Sequence, residues 1–218
     1  MKIIPVINCQ DYETAKSRMQ IAETLLASVP PSDRWVHIDI ADGSFTNGYS
    51  TWRSPTDLAE MKLRLDTKIE LHLMVNEPEQ AMDAWLAAGI SRLIFHLEST
   101  AALEVITAAC NNCGVQPMLA IGPDTPVSHA TTYCADMPGF QFLAVKPGLS
   151  GQEIDPKTFE RIGSLRERFP QILIEVDGGV TPETAKRLKQ WGATQAVSGS
   201  YIFNSADPAK AFKELLEA

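Results

Sequence analysis

Short β-branched runs alternate with longer stretches whose apolar residues recur at helical spacing, from one end of the chain to the other. The apolar runs predict strands at Ile3–Ile7, Trp35–Ile40, Lys68–Met74, Arg92–His96, Gln116–Ala120, Phe142–Val145, Leu173–Asp177 and Ala196–Ser198. The amphipathic stretches between them predict helices over Tyr12–Ala27, Pro55–Leu63, Pro78–Ala88, Ala102–Asn111, Val127–Ala135, Pro156–Arg168, Pro182–Trp191 and Pro208–Glu217. Pro55, Pro78, Pro156, Pro182 and Pro208 fall at or near a first helical turn, where a missing N–H costs nothing. Alternation of this kind is the pattern of βα units around a parallel sheet. Eight such units in 218 residues predict an α/β fold of the compact (β/α)8 type, a TIM barrel whose active site forms where the strands end. The rival, an open doubly wound sheet, would place a G-x-G-x-x-G loop after an early strand, and none stands there.

Length and composition sharpen this picture. A hydrophobic fraction of 44% supports one large core, and with no linker or low-complexity stretch a single domain spanning 1–218 is expected. The net charge of -8 and the scattered Lys and Arg argue against nucleic acid or an anionic membrane as partner. Phosphate stays compatible with that charge, because backbone amides bind it without a basic patch. No segment approaches the roughly 20 apolar residues that cross a bilayer, and the N-terminus lacks a signal-type pattern, so a soluble cytoplasmic protein is expected. Cys110 and Cys113 match C-x-x-C, but they sit at the end of a helical stretch with no second pair, and with Cys9 and Cys134 are read as ordinary cysteines.

Chemistry concentrates at His37, Asp39, His72 and Asp177, each at or next to the end of an apolar run. Strand side chains alternate with period two, so His37 and Asp39 point the same way. Two imidazoles and two carboxylates at strand ends can hold a divalent metal and move protons, and the donor set suits zinc, iron(II), manganese or cobalt. Asp42, offset by three from Asp39, is read as structural. The glycine-rich turns come late, as Pro147-Gly148-Leu149-Ser150-Gly151, Asp177-Gly178-Gly179 and Ser198-Gly199-Ser200. In barrels the loops after strands seven and eight commonly bind phosphate through backbone N–H groups, and that reading is favoured here over simple tight turns.

Taken in order, these segments resemble the ribulose-phosphate 3-epimerase family across nearly the whole chain. His37-Ile38-Asp39-Ile40-Ala41-Asp42-Gly43-Ser44-Phe45 is similar to the family's H-[VIL]-D-[VI]-M-D-G-x-F, and His72-Leu73-Met74-Val75 with Pro78 to H-L-M-V-x-x-P. Phe95-His96-Leu97-Glu98 resembles F-H-x-E, Pro147-Gly148-Leu149-Ser150-Gly151-Gln152 resembles P-G-F-[GS]-G-Q, and Glu175-Val176-Asp177-Gly178-Gly179-Val180 matches [EV]-V-D-G-G-[VI]. The resemblance implies a barrel of the ribulose-phosphate-binding type that inverts C3 of a ketose phosphate, D-ribulose 5-phosphate to D-xylulose 5-phosphate, in the pentose phosphate pathway. It implies one divalent metal on His37, Asp39, His72 and Asp177, with Asp39 and Asp177 as acid and base. It also implies phosphate at Gly148, Gly151, Gly178, Gly179, Gly199 and Ser200, and assembly into homo-oligomers. Removing a proton beside a carbonyl builds charge that a Lewis acid stabilises, and inversion needs a second group on the opposite face.

The chain departs from the family around the expected pocket of Val6, Ala41, Met74, Leu143 and Lys146. Val6 stands where a serine is usual, Ala41 and Leu143 replace methionines, and Gly122 replaces an asparagine. Lys146 replaces Asn, Glu or His, Leu149 replaces a phenylalanine, and Ser44 often a histidine. Another ketose phosphate, such as a hexulose 6-phosphate, is therefore the alternative substrate, and a non-catalytic phosphosugar-binding relative the alternative function. Lys146 as a Schiff-base nucleophile is disfavoured, because carboxylates are expected nearby. Barrels related to orotidine monophosphate decarboxylase resemble D-x-K-x-x-D on the active strand, where this chain has His37-Ile38-Asp39-Ile40-Ala41-Asp42 without the lysine. Tryptophan-pathway barrels would not require two histidines and two aspartates at one point.

Overall fold

In the computed structural model, which describes residues 1–61, 63 and 66–218, eight parallel strands close into a barrel in chain order. They are β1 (Lys2–Ile7), β2 (Trp35–Ala41), β3 (Lys68–Met74), β4 (Arg92–His96), β5 (Gln116–Ile121), β6 (Gly139–Leu143), β7 (Leu173–Asp177) and β8 (Gln195–Ser198). The helices are α1 (Tyr12–Leu26), α2 (Pro55–Glu60), α3 (Met82–Leu86), α4 (Leu103–Asn112), α5 (Val127–Thr131), α6 (Lys157–Arg168), α7 (Pro182–Trp191), α8 (Ser200–Phe203) and α9 (Pro208–Glu217). Among the described residues no helix is long and apolar enough to cross a membrane.

Two alternating faces explain the strand sequences. Val36, Ile38 and Ile40 of β2, with Leu71 and Leu73 of β3, face the helices and join the main apolar core there. The opposite face of each strand fills the barrel. Its apolar part is small: Ile4, Val6, Trp35 and Val197 on one side, Ile94, Met118 and Ala120 on the other. Glu70, Arg92, Gln141, Glu175 and Gln195 share that interior, which is why these strands do not read as uniform apolar runs. Helix starts follow local chemistry: Asp11, Ser54, Thr181 and Asp207 each accept a backbone N–H from the first turn, and Thr181 with Thr184 forms a capping box.

Several expected boundaries are corrected. Strand β6 runs Gly139–Leu143 rather than Phe142–Val145. Gly139 and Gln141 imitate a turn, yet Gly139 lies so close to Leu173 that a Cβ would come within 2.8 Å of it. Gln141 is fully buried inside the barrel against Glu175. The expected helix Pro78–Ala88 splits into a 3-10 turn at Pro78–Gln80 and α3, separated at Ala81 (φ -107). Helix α5 stops at Thr131 instead of Ala135 and unwinds through i→i−3 bonds from Tyr133 and Cys134. Helix α2 ends at Glu60, with Met61 already extended; position 62 of the expected helix lies outside the described residues. Helix α8 escapes sequence reading because four residues carry too little periodicity.

Candidate active site

The β2–β3 register pairs Asp39 with His72 and His37 with Glu70, so Asp39 and His72 stand level near the C-terminal mouth with His37 one step below, and β7 adds Asp177. All four are buried, and one ligand atom from each lies within 4.8 Å of the others. His37 Nε2 is 3.2 Å from Asp39 Oδ1; His72 Nδ1 is 3.1 Å from that same oxygen and 3.4 Å from Asp177 Oδ2. Burial opposes charging of both imidazoles, but hydrogen bonds and charge from Asp39 and Glu70 raise His37 well above an ordinary histidine. Bonds and charge from Asp177 and Asp39 raise His72 in the same way. Burial likewise pushes Asp39 upward, and the two histidines outweigh it and hold the carboxyl well below its usual range. The two imidazoles of this cradle thus retain protons against burial, protons that a bound cation would displace. Imidazole nitrogens and carboxylate oxygens converging at this spacing fit a divalent cation.

Each histidine has its second nitrogen anchored, as metal-ligating histidines usually do. His37 Nδ1 meets Glu70 Oε1 at 2.8 Å. His72 Nε2 lies 2.9 Å from His96 Nε2, and His96 Nδ1 is 3.1 Å from Glu98 Oε2. An ionised Glu98 can only accept, so Nδ1 of His96 carries the hydrogen; its Nε2 accepts from His72 and leaves His72 Nδ1 to face the cradle. Burial, joined by the neighbouring His72, lowers the pKa of His96 in spite of Glu98 and keeps its ring neutral. Burial pushes Glu98 up, but His96, Thr125 and the Gly122 N–H outweigh it and hold the carboxyl at about 2. Phe45 covers the His96 ring with centroids 4.6 Å apart.

Beneath the cradle the barrel holds a second polar layer. The Arg92 Nη1 donates to Glu70 Oε2 (2.5 Å), Gln195 Oε1 (3.0 Å) and Glu175 Oε2 (3.4 Å), and its guanidinium stacks 4.4 Å from the Trp35 ring centre. Gln141 donates to Glu175. Burial and the neighbouring Glu70 raise Glu175 to about 8.

Above the cradle lies a cleft of about 530 Å³, mouth included. Asp39 and Asp177 form its floor together with Asn8; Val6, Met74, Leu143 and Lys146 stand on its wall. Gly148, Gly151, Gly178, Gly179, Gly199 and Ser200 line it as well. The backbone dictates glycine at 179: φ is +67, and a Cβ would meet the Ile154 nitrogen at 2.4 Å. Ala41 does not reach the cleft; it is fully buried, its N–H bonded to Thr51 Oγ1. Gly122 sits elsewhere too, bonded to Glu98 and Arg161. Asp42 accepts the N–H and hydroxyl of Ser44 and shapes the loop after β2. Cys110 is buried, its thiol pushed up by burial to about 12, and Cys113 is exposed.

Sequence reasoning missed Asn8, Glu70, Arg92, Glu175 and Gln195 and left His96 and Glu98 without a role. The signal was present, since Glu70 precedes His72 by two, Glu175 precedes Asp177 by two and Asn8 follows Val6 by two, the same-face spacing that linked His37 to Asp39.

A sequence model of the Ribulose-phosphate 3 epimerase family matches residues 13–203. The ribulose-phosphate 3-epimerase of Eremothecium gossypii is 32% identical over 183 residues, which cover 79% of this chain and 76% of that protein. The cytoplasmic isoform of Oryza sativa subsp. japonica is 31% identical over 185 residues, covering 83% and 80%. Among solved structures, a 3-hexulose-6-phosphate synthase superposes with TM-score 0.70 at 17% identity, over 99% of this chain and 98% of that one. The orotidine 5'-phosphate decarboxylase of Pyrococcus horikoshii gives 0.68 at 16%, over 99% and 97%. At such identities these two share the fold alone.

Proposed function

We propose that this chain, which belongs to the ribulose-phosphate 3 epimerase family and is a ketose-phosphate epimerase, inverts C3 of D-ribulose 5-phosphate to give D-xylulose 5-phosphate. The observation that carries the proposal is the placement of two carboxylates, Asp39 from β2 and Asp177 from β7, on the floor of one cleft whose rim is built from the glycine turns after β6, β7 and β8.

Asp39, held ionised by His37 and His72, takes the proton from C3, and Asp177 returns one from the other face; in the reverse direction they exchange roles. His37, Asp39, His72 and Asp177 would hold one divalent cation. When bound, the cation would supply Lewis-acid stabilisation to the oxygen next to the reacting carbon. Gly148, Gly151, Gly178, Gly179, Gly199 and Ser200 place backbone on the cleft wall, and the loops after β7 and β8 with the start of α8 would take the phosphate. Val6, Met74 and Leu143 keep water from the reacting carbon.

A second reading of the substrate follows from the wall. Val6 offers no hydroxyl, and Lys146 puts a cationic side chain on the cleft lining, which suits another ketose phosphate such as a hexulose 6-phosphate. Incubation with each sugar phosphate in heavy water, followed by NMR, separates the two. Deuterium at C3 of ribulose 5-phosphate with formation of xylulose 5-phosphate, both lost in Asp177→Asn, is expected. A folded, metal-loaded wild type that exchanges nothing with ribulose 5-phosphate would reject that substrate.

A further inference from the structure

We propose that Asn8 is a positioning residue for Asp39, locked in orientation by Tyr49. Asn8 follows β1 directly and lies two residues beyond Val6, so it continues the inward face of that strand and reaches the cleft floor. Its Nδ2 donates to Asp39 Oδ2 at 2.8 Å and to the Gly148 carbonyl at 3.3 Å. The Tyr49 hydroxyl donates to Asn8 Oδ1 at 2.5 Å. The amide cannot be turned over without loss: an ionised carboxylate and a backbone carbonyl only accept, so the NH2 end must face them. Tyr49 is held in its turn by its own N–H to the Thr46 carbonyl, and by the Thr46 hydroxyl bonded to its carbonyl.

The two oxygens of Asp39 thereby acquire different tasks. Oδ1 is shared by His37 Nε2 and His72 Nδ1 and belongs to the cradle. Oδ2 carries only the Asn8 hydrogen bond among its side-chain partners in the described residues, and is the oxygen free to exchange a proton with a substrate. With both amide hydrogens committed and its oxygen engaged by Tyr49, Asn8 has little left to offer a ligand directly. It fixes where Oδ2 points instead, and it does so by joining β1, the loop after β2 and the loop after β6 at one side chain. The strand that lacks a hydroxyl at Val6 supplies this polar group two positions later.

This inference rests on the epimerase reading, and its test separates the two. Asn8→Leu, Asn8→Asp and Tyr49→Phe are compared with wild type for C3 proton exchange, steady-state epimerisation of ribulose 5-phosphate, and manganese affinity by chelator competition. Asn8→Leu is expected to lower kcat by about ten- to hundred-fold, the range for a hydrogen bond to a charged group, with KM and manganese affinity within about two-fold of wild type. Asn8→Asp sets a second carboxyl against Asp39, so that the pair shares a proton and Oδ2 loses its role as a free base, and its kcat falls at least as far; Tyr49→Phe gives a smaller loss, about three- to ten-fold, at unchanged KM. Wild-type kcat in Asn8→Leu would show that the side chain only fills space and would overturn the assignment. A loss in Asn8→Leu that merely tracks weaker manganese binding would overturn it as well. No exchange by wild type would overturn the epimerase reading, and this assignment with it.

Discussion

Replacing Arg92 by methionine isolates the energetics of the polar layer inside the barrel. Arg92 is 2% exposed, and its guanidinium meets Glu70 at 2.5 Å, Gln195 at 3.0 Å and Glu175 at 3.4 Å, so water does not substitute for it when it is removed. Methionine keeps the packing against Trp35 while deleting the charge. Breaking a buried pair from one side costs roughly 3–5 kcal/mol, because the partner carboxylate stays buried and unpaired. For a chain of 218 residues, each kcal/mol moves the midpoint by about 2–4 °C, so Arg92→Met is expected to melt roughly 6–20 °C below wild type. The triple variant Arg92→Met, Glu70→Gln, Glu175→Gln removes the stranded Glu70 charge, and with it the group that keeps Glu175 protonated, and should recover a large part of that loss. Both are measured by urea unfolding at fixed pH and by thermal melts. A single variant that loses less than about 1 kcal/mol, or a triple variant no better than the single, would refute the view that Arg92 is the counter-charge of this layer.

Further outcomes follow from other parts of the site. Glu98 is held at about 2 against an ordinary 4.5, so its contribution, at most about 3 kcal/mol, is fully present above pH 4.5 and is lost as the pH falls from 4.5 through 2. Urea unfolding of wild type and Glu98→Gln should therefore show a gap at pH 6 that closes toward pH 2, and a gap independent of pH would contradict it. Manganese or zinc at a hundred times its dissociation constant should stabilise wild type by about 2.7 kcal/mol, and His72→Ala should abolish the shift in a thermal melt. Gly179→Ala forces a Cβ to within 2.4 Å of the Ile154 nitrogen at positive φ and should cost roughly 2–4 kcal/mol, read by urea unfolding; a neutral result would show that the turn gives way.

The barrel was legible in the sequence because each strand carries a helix-facing row of Val, Ile and Leu, and that row survives whatever fills the interior. The interior row was read only where histidines made it conspicuous. Glu70, Arg92 and Glu175 look like surface charges in a linear sequence, and only closure of the sheet, which brings β3, β4 and β7 around one axis, turns them into partners. Strand β6 was misplaced for the same reason, since Gln141 reads as solvent-facing until Glu175 is seen opposite it. Asn8 and Tyr49 were invisible because their contact spans 41 residues and two loops whose course no local pattern encodes.

His37 belongs to both polar layers. One ring nitrogen reaches down to Glu70, which Arg92 holds, and the other reaches up to Asp39 on the cleft floor. Barrels of this type ordinarily keep two independent ledges, chemistry at one mouth and robustness at the other, so that each can be rebuilt without disturbing its opposite. Here a single imidazole spans that divide. An engineer who hardens the lower layer by swapping its charges for hydrocarbon also releases the ring that orients the upper one, so this scaffold trades modularity for a continuous axial column.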